Sequence, residues 1–160
     1  VPAYRICFVC TGNICRSPTA EVVMRARLVS AGLSDRVIVD SAGTGGWHVG
    51  HGADERALET LRAHGYDGGE HVARQFDPAW FADRDLVVAM DVDNLRALRR
   101  MAPPDQEHKL VMLRSFDPAS PGDLDVPDPY YGGPRGFEHV LALVEAACDG
   151  LVDWLRAELA

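Results

Sequence analysis

No stretch of this chain is apolar for anything near the roughly 20 residues that cross a bilayer, so a membrane protein is not expected. A surplus of positive charge is missing too: 16 Lys and Arg stand against 24 Asp and Glu, a formal charge of −8. Binding a phosphate backbone rests on clustered Lys and Arg, which makes nucleic acid an improbable partner class. Any anion must therefore be held locally, by a few well-placed groups. The four cysteines do not form a spaced disulfide framework, because Cys7, Cys10 and Cys15 crowd together and Cys148 falls in a helical pattern. Reduced thiols are the expectation. There is no secretory pattern of basic start, long apolar run and cleavage site, and the chain reads as cytoplasmic. Internal repeats, low-complexity tracts and interdomain linkers are also lacking, and residues 1–160 fit one domain of ordinary size.

What is there is an alternation of two patterns. "RICFVC" (5–10) is a short apolar run of the kind found in a strand covered on both faces. Helical spacing follows through Ala20, Val23, Met24 and Leu28, with Ser17 placed as N-cap, Pro18 at the first helical position and Gly32 as the stop. "RVIVDSA" (36–42) gives a second strand, and Ala57, Leu58 and Leu61 a helix closed by Gly65. "DLVVAM" (85–90), the helix "DNLRALRRM" (93–101) and the strand "KLVML" (109–113) continue the series. From Phe137 to Leu159 a helical repeat runs toward the C-terminus. Four strands separated by helices imply an α/β fold with a parallel sheet flanked by helices. Ligands of such sheets bind beyond the C-terminal strand ends, at a topological switch point.

Residues 114–136, "RSFDPASPGDLDVPDPYYGGPRG", break the pattern with five prolines, four glycines and no period. A structureless stretch of this length in a compact domain is more often functional than idle, and the tyrosine pair beside "DP" favours a functional reading.

The first strand runs into "CTGNICRS" (10–17). Its plain reading is a glycine turn with cysteines as small core residues. A metal site built on Cys7, Cys10 and Cys15 fits poorly, since strand alternation sends Cys7 and Cys10 to opposite faces and no second pair exists. A Walker loop lacks its Gly-Lys-Ser/Thr, and a thioredoxin-like site lacks Cys-x-x-Cys at the helix start. An anion cradle with its own nucleophile fits well. Backbone N–H groups of residues 11 to 16 (Thr11, Gly12, Asn13, Ile14, Cys15, Arg16) can converge on a tetrahedral anion at a helix N-terminus. A Cys10 facing those donors and Arg16 would be held as thiolate, and Arg16 can grip two phosphate oxygens at once.

The Cys-x5-Arg-Ser loop is the signature of cysteine-dependent phosphatases, and the chain resembles the low-molecular-weight protein tyrosine phosphatase family. "DSAGTGGW" (40–47), "HVARQ" (71–75), "AMD" (89–91) and "DPYYGG" (128–133) resemble that family's further motifs in the same order. The resemblance implies a sheet of order 2-1-3-4 with the phosphate-binding loop after the first strand, phosphotyrosine-containing proteins as partners, and no cofactor or metal. It implies Cys10 as nucleophile, Arg16 as clamp and Asp128 as general acid and base, although an Asp-Pro turn is common in isolation. Asn13 would be held by Ser17, Ser41 and His71, while Trp47, Tyr130 and Tyr131 would wall the substrate cleft. Tyr130 and Tyr131 also resemble tyrosines that are themselves phosphorylated in the family. Cys15, otherwise a packed small residue, would trap an oxidised Cys10 as a disulfide.

Other activities remain open from the residues alone. An arginine-phosphate phosphatase of the same fold differs chiefly after Asn13, where this chain has Ile14 and those relatives carry Thr. An arsenate reductase needs relay cysteines, and residues 71 to 101 hold none. A phosphopeptide-binding module would not need Cys10 and Asp128 together.

Overall fold

The computed structural model describes residues 2–120 and 122–160. Four parallel strands, β1 (Tyr4–Cys10), β2 (Val37–Gly43), β3 (Leu86–Ala89) and β4 (Leu110–Met112), form one sheet in the order β2-β1-β3-β4. β1 lies in the middle, with Phe8 opposite Ser41 on one side and Val88 on the other. Its side chains alternate as a doubly covered strand requires. Ile6, Phe8 and Cys10 face α1 (Arg16–Ala31) and α4 (Pro134–Glu158), whereas Cys7 and Val9 face Phe76, Phe81 and Leu98. Burying a side chain such as Phe8 on one face or Val9 on the other completely is worth about 1.5–3 kcal/mol each, so this strand anchors both layers. The helix α2 (Glu55–Ala63) packs on α4, and α3 (Val92–Met101) covers β3 and β4. None of the helices among the described residues is long and apolar enough to cross a membrane.

The expected strands are all present, each trimmed or shifted by a residue or two. Leu113, expected at the end of β4, instead opens a short 3₁₀ turn, Leu113–Phe116. Two further 3₁₀ segments, Pro78–Ala82 and Pro104–Lys109, have no counterpart in the apolar pattern, because each is short and has at most one buried side chain. α4 starts at Pro134 rather than at Phe137, since proline is permitted in a first turn, and the aperiodic segment shortens to 117–133.

One local reading is corrected. Ser17 is not the N-cap of α1: the helix starts at Arg16, Cys15 occupies the cap position, and no side chain caps it. The serine hydroxyl is turned away from the helix end, toward Cys10 and Asn13. Pro18 accordingly sits third in the helix rather than first, still within the turn whose N–H groups have no intrahelical partner. Gly32 ends the helix as expected, with φ of 72° and the N–H of Leu33 bonded back to the carbonyl of Leu28 at 2.9 Å.

The sheet order places a switch point between β1 and β3. From β1 the chain returns first to β2 on one side and later to β3 on the other, leaving a crevice beyond their carboxyl ends. Residues 10–17 emerge there.

Candidate active site

The loop after β1 is shaped by where its carbonyl groups go. The Cys10 carbonyl accepts from Thr44 N at 2.8 Å, and that of Thr11 from Gly45 N at 3.0 Å. The Ile14 carbonyl accepts from Asp54 N at 2.9 Å, and that of Asn13 from His71 Nε2 at 2.7 Å. A carbonyl can only accept, so His71 carries its proton on Nε2. With the carbonyls turned outward, the N–H groups of residues 11 to 16 are left over: among the described residues none is spent on a turn or loop bond. Close approach of the loop to β2 depends on Gly43, where a Cβ would lie 2.8 Å from the Thr11 oxygen.

Asn13 is the bend. Its φ of 58° is the left-handed conformation that asparagine tolerates better than most residues, and it is fully buried. Nδ2 donates to Ser17 Oγ at 2.8 Å and to Ser41 Oγ at 3.0 Å, and Oδ1 accepts from Arg74 N at 2.9 Å. Ser41 in turn donates to Glu21 Oε1 at 2.6 Å. The structure thus brings Ser17, Ser41 and His71 onto Asn13, and adds Arg74 and Glu21.

Cys10 Sγ lies 2.9 Å from Ser17 Oγ. Ser17 has one hydrogen to give and two acceptors within reach, the sulfur and the Ala42 carbonyl at 3.3 Å. The sulfur is the nearer of the two. Arg16 is 2% exposed, and its Nη1 donates to Asp91 Oδ2 at 2.6 Å and to the Val126 carbonyl at 2.9 Å. Nη2 reaches Thr11 Oγ1 at 3.2 Å and lies 3.6 Å from Asp128 Oδ2. Burial opposes its charge, but Cys10, Asp91 and Asp128 outweigh burial and raise its pKa further. Arg16 is a fixed cation.

Cys10, Arg16 and Asp128 line one cleft of about 460 Å³. Asp128 is 46% exposed on its rim, its Oδ1 accepting from Tyr130 N at 3.1 Å. Ile14 and Tyr130 pack beside Cys15, Ala57 and Phe137 at the base of one wall. Tyr131, 94% exposed, meets Tyr130 edge to face at 4.9 Å. Trp47 also lines the cleft, but its 71%-exposed ring is folded over Gly45, where any Cβ would collide with it. His48 lines the cleft as well, its ring lying against Gly12 and 6.3 Å from the Tyr130 ring.

Sequence reasoning assigned no role to His48, Asp91, Arg74, Glu21 or Asn94. Asn94 donates to Thr11 Oγ1 at 3.2 Å, and Arg56 lies over the Tyr130 and Phe137 rings at 5.4 and 4.8 Å. For Asp91 a signal existed, since it follows β3 at the switch point; the others are recruited over distances that no local pattern records.

Burial, followed by Asp54, Cys10 and Asp128, pushes the Cys15 thiol far above the ordinary range. Burial does the same for Cys148, and burial with Asp40 for Cys7. All four cysteines are free.

A run of unspent N–H groups suits a tetrahedral dianion, and a cysteine sulfur in the same cleft can displace an ester oxygen from phosphorus. The class that this fold and site define is the phosphoric monoester hydrolases. The chain belongs to the family described as low molecular weight phosphotyrosine protein phosphatase, whose model matches residues 5–160. It is 60% identical to a low molecular weight protein-tyrosine-phosphatase of Streptomyces coelicolor, over 98% of this chain and 96% of that one. A crystal structure of a protein tyrosine phosphatase from Entamoeba histolytica superposes with a TM-score of 0.94 at 35% identity, covering 99% of this chain and all of that one (100%). A Drosophila arginine phosphatase also shares the fold, with a TM-score of 0.86 at 32% identity over 94% of this chain and 96% of that one.

Proposed function

We propose that this phosphatase hydrolyses phosphotyrosine in proteins through a cysteinyl-phosphate intermediate. The observation that carries the reading is the convergence of Cys10, Arg16 and Asp128 on one cleft at the switch point. The phosphoryl group sits among the N–H groups of residues 11 to 16 with Arg16 on its oxygens. Cys10 sulfur attacks phosphorus in line, the bond from phosphorus to the phenolic oxygen breaks, and Asp128 gives its proton to that oxygen. Water then attacks phosphorus, Asp128 takes up the water's proton, and the sulfur–phosphorus bond breaks to return the thiolate. Ser17, 2.9 Å away, donates to the departing sulfur and stabilises its charge. Asn13 and its partners hold the loop in shape throughout, so little reorganisation is needed at the moment of reaction.

Preference for tyrosine over arginine phosphate is supported by the wall. Ile14, Tyr130 and His48 offer apolar and aromatic surface to a flat ring, while a guanidinium would lose hydration there without a partner. Four unpaired cysteines and a thiol-dependent step suit a reducing compartment, and we place the protein in the cytoplasm.

Turnover of an aryl phosphate by the purified protein and by Cys10→Ser tests the chemistry. The serine variant is expected to lose activity by at least about 10⁴; equal activity in both removes the nucleophile. Substrate class is tested by the ratio of kcat/KM for phosphotyrosine and phosphoarginine peptides. The wild type should favour phosphotyrosine strongly and Ile14→Thr less so, while a wild-type ratio at or below one sinks the tyrosine assignment.

A further inference from the structure

Arg114 takes no part in the steps above, yet it is only 7% exposed. It lies in the 3₁₀ turn after β4, and its Nη1 donates to the carbonyl of Asp125 at 2.7 Å. The next carbonyl along, that of Val126, is the one that accepts from Arg16 at 2.9 Å. Two guanidinium groups therefore grip successive carbonyls of one segment, three and two residues before Asp128. The same two residues are tied to the end of β3, through Val126 N to the Met90 carbonyl at 2.8 Å and Val92 N to Asp125 Oδ1 at 2.9 Å. Val126 is fully buried, whereas beyond it the Asp128 side chain has only the local bond from Tyr130 N and the longer approach to Arg16. Where the segment is anchored thus sets where the carboxyl group stands.

Stability explains Arg114 poorly. A buried guanidinium is costly to desolvate, its Nε has no partner among the described residues, and an apolar side chain of similar volume would pack there without that cost. Anchoring explains it well, because no apolar group can hold a carbonyl. We propose that Arg114 is a positioning residue for the general acid: by fixing the Asp125 carbonyl it holds the segment at the height from which Asp128 reaches the leaving-group oxygen. The proposal rests on Asp128 being that acid.

The test is the dependence of kcat/KM on leaving-group acidity across a series of aryl phosphates, for the wild type, Arg114→Met, Arg114→Gln and Asp128→Asn, with the unfolding midpoint of each variant. Arg114→Met is expected to lose roughly 10- to 100-fold toward the least acidic phenol and under about 3-fold toward the most acidic, steepening the dependence as Asp128→Asn does. Arg114→Gln should steepen it less, and it decides the matter if the methionine variant does not fold. A wild-type slope in the Arg114 variants beside a steep one in Asp128→Asn overturns the positioning role. An unchanged slope in Asp128→Asn removes the acid assignment itself, and the proposal with it.

Discussion

Residues 10–17 and residues 117–133 supply the two sides of one cleft by opposite means. The first segment is short, joins β1 directly to α1, and has Asn13, Arg16 and Ser17 all but inaccessible to solvent. Its shape follows from its own sequence: an asparagine at the left-handed bend, a serine seven residues after the cysteine, and carbonyls that find partners outside the loop. Among its described residues the second segment has no helix or strand, and its Asp128 is nearly half exposed. It is positioned from a distance, by side chains of α1 and of the turn after β4 and by the backbone beyond β3. In the proposed mechanism the charge on the three equatorial phosphoryl oxygens needs donors fixed beforehand, which the buried loop would provide. A proton donor has to meet leaving groups that enter and depart, and an open rim allows that.

The contrast breaks first at Asp128. Asp128→Asn should lower kcat/KM toward poor leaving groups by roughly 10² to 10⁴ and affect good ones much less. A uniform loss would mean that the segment only shapes the cleft. Because the residue is exposed and its bonds are local, its unfolding midpoint should stay close to that of the wild type.

The buried side should behave the other way, with stability and activity falling together. Asn13→Ala places a Cβ-bearing residue without a local hydrogen bond at φ of 58° and strips Ser17, Ser41 and Arg74 of a partner. A loss of roughly 2–4 kcal/mol is expected in denaturant unfolding. Asn13→Gly, which relieves the backbone but not the lost hydrogen bonds, should lose less. If both variants match the wild type, the loop is not pre-shaped by this residue.

The smallest effect is expected at Cys15. Its thiol, like those of Cys7 and Cys148, is pushed up by burial, so at neutral pH it stays protonated. Alkylation followed by peptide mass analysis should mark Cys10 at least about 10-fold faster than the other three. Cys15→Ser should keep its turnover yet recover less activity after peroxide and thiol treatment, because a neighbouring thiol can trap the first oxidation product as a disulfide. Unchanged recovery would make Cys15 a packing residue beside Ala57 and Phe137.

The same contrast governs what could be read in the residues beforehand. Apolar runs marked all four strands, and the loop between β1 and α1 was legible because its spacing and its chemistry coincide in eight positions. Ser17 offered two readings, a cap and a donor to Cys10, since a serine before a proline looks the same either way; the cap is not made and the contact with the sulfur is. Trp47 was named through the family resemblance and does line the cleft, while His48, one position on, lines it too and was not foreseen. Arg114 acts through a partner 11 residues away, and no local pattern marks such a pairing.

The most direct measurement is to stop turnover of a phosphorus-labelled aryl phosphate by rapid denaturation and locate the label by mass spectrometry of the digested protein. The account predicts phosphate on the peptide that contains Cys10, forming as fast as the phenol is released and absent from Cys10→Ser. Phenol released in a burst without label on the protein, or label on any other residue, would contradict it.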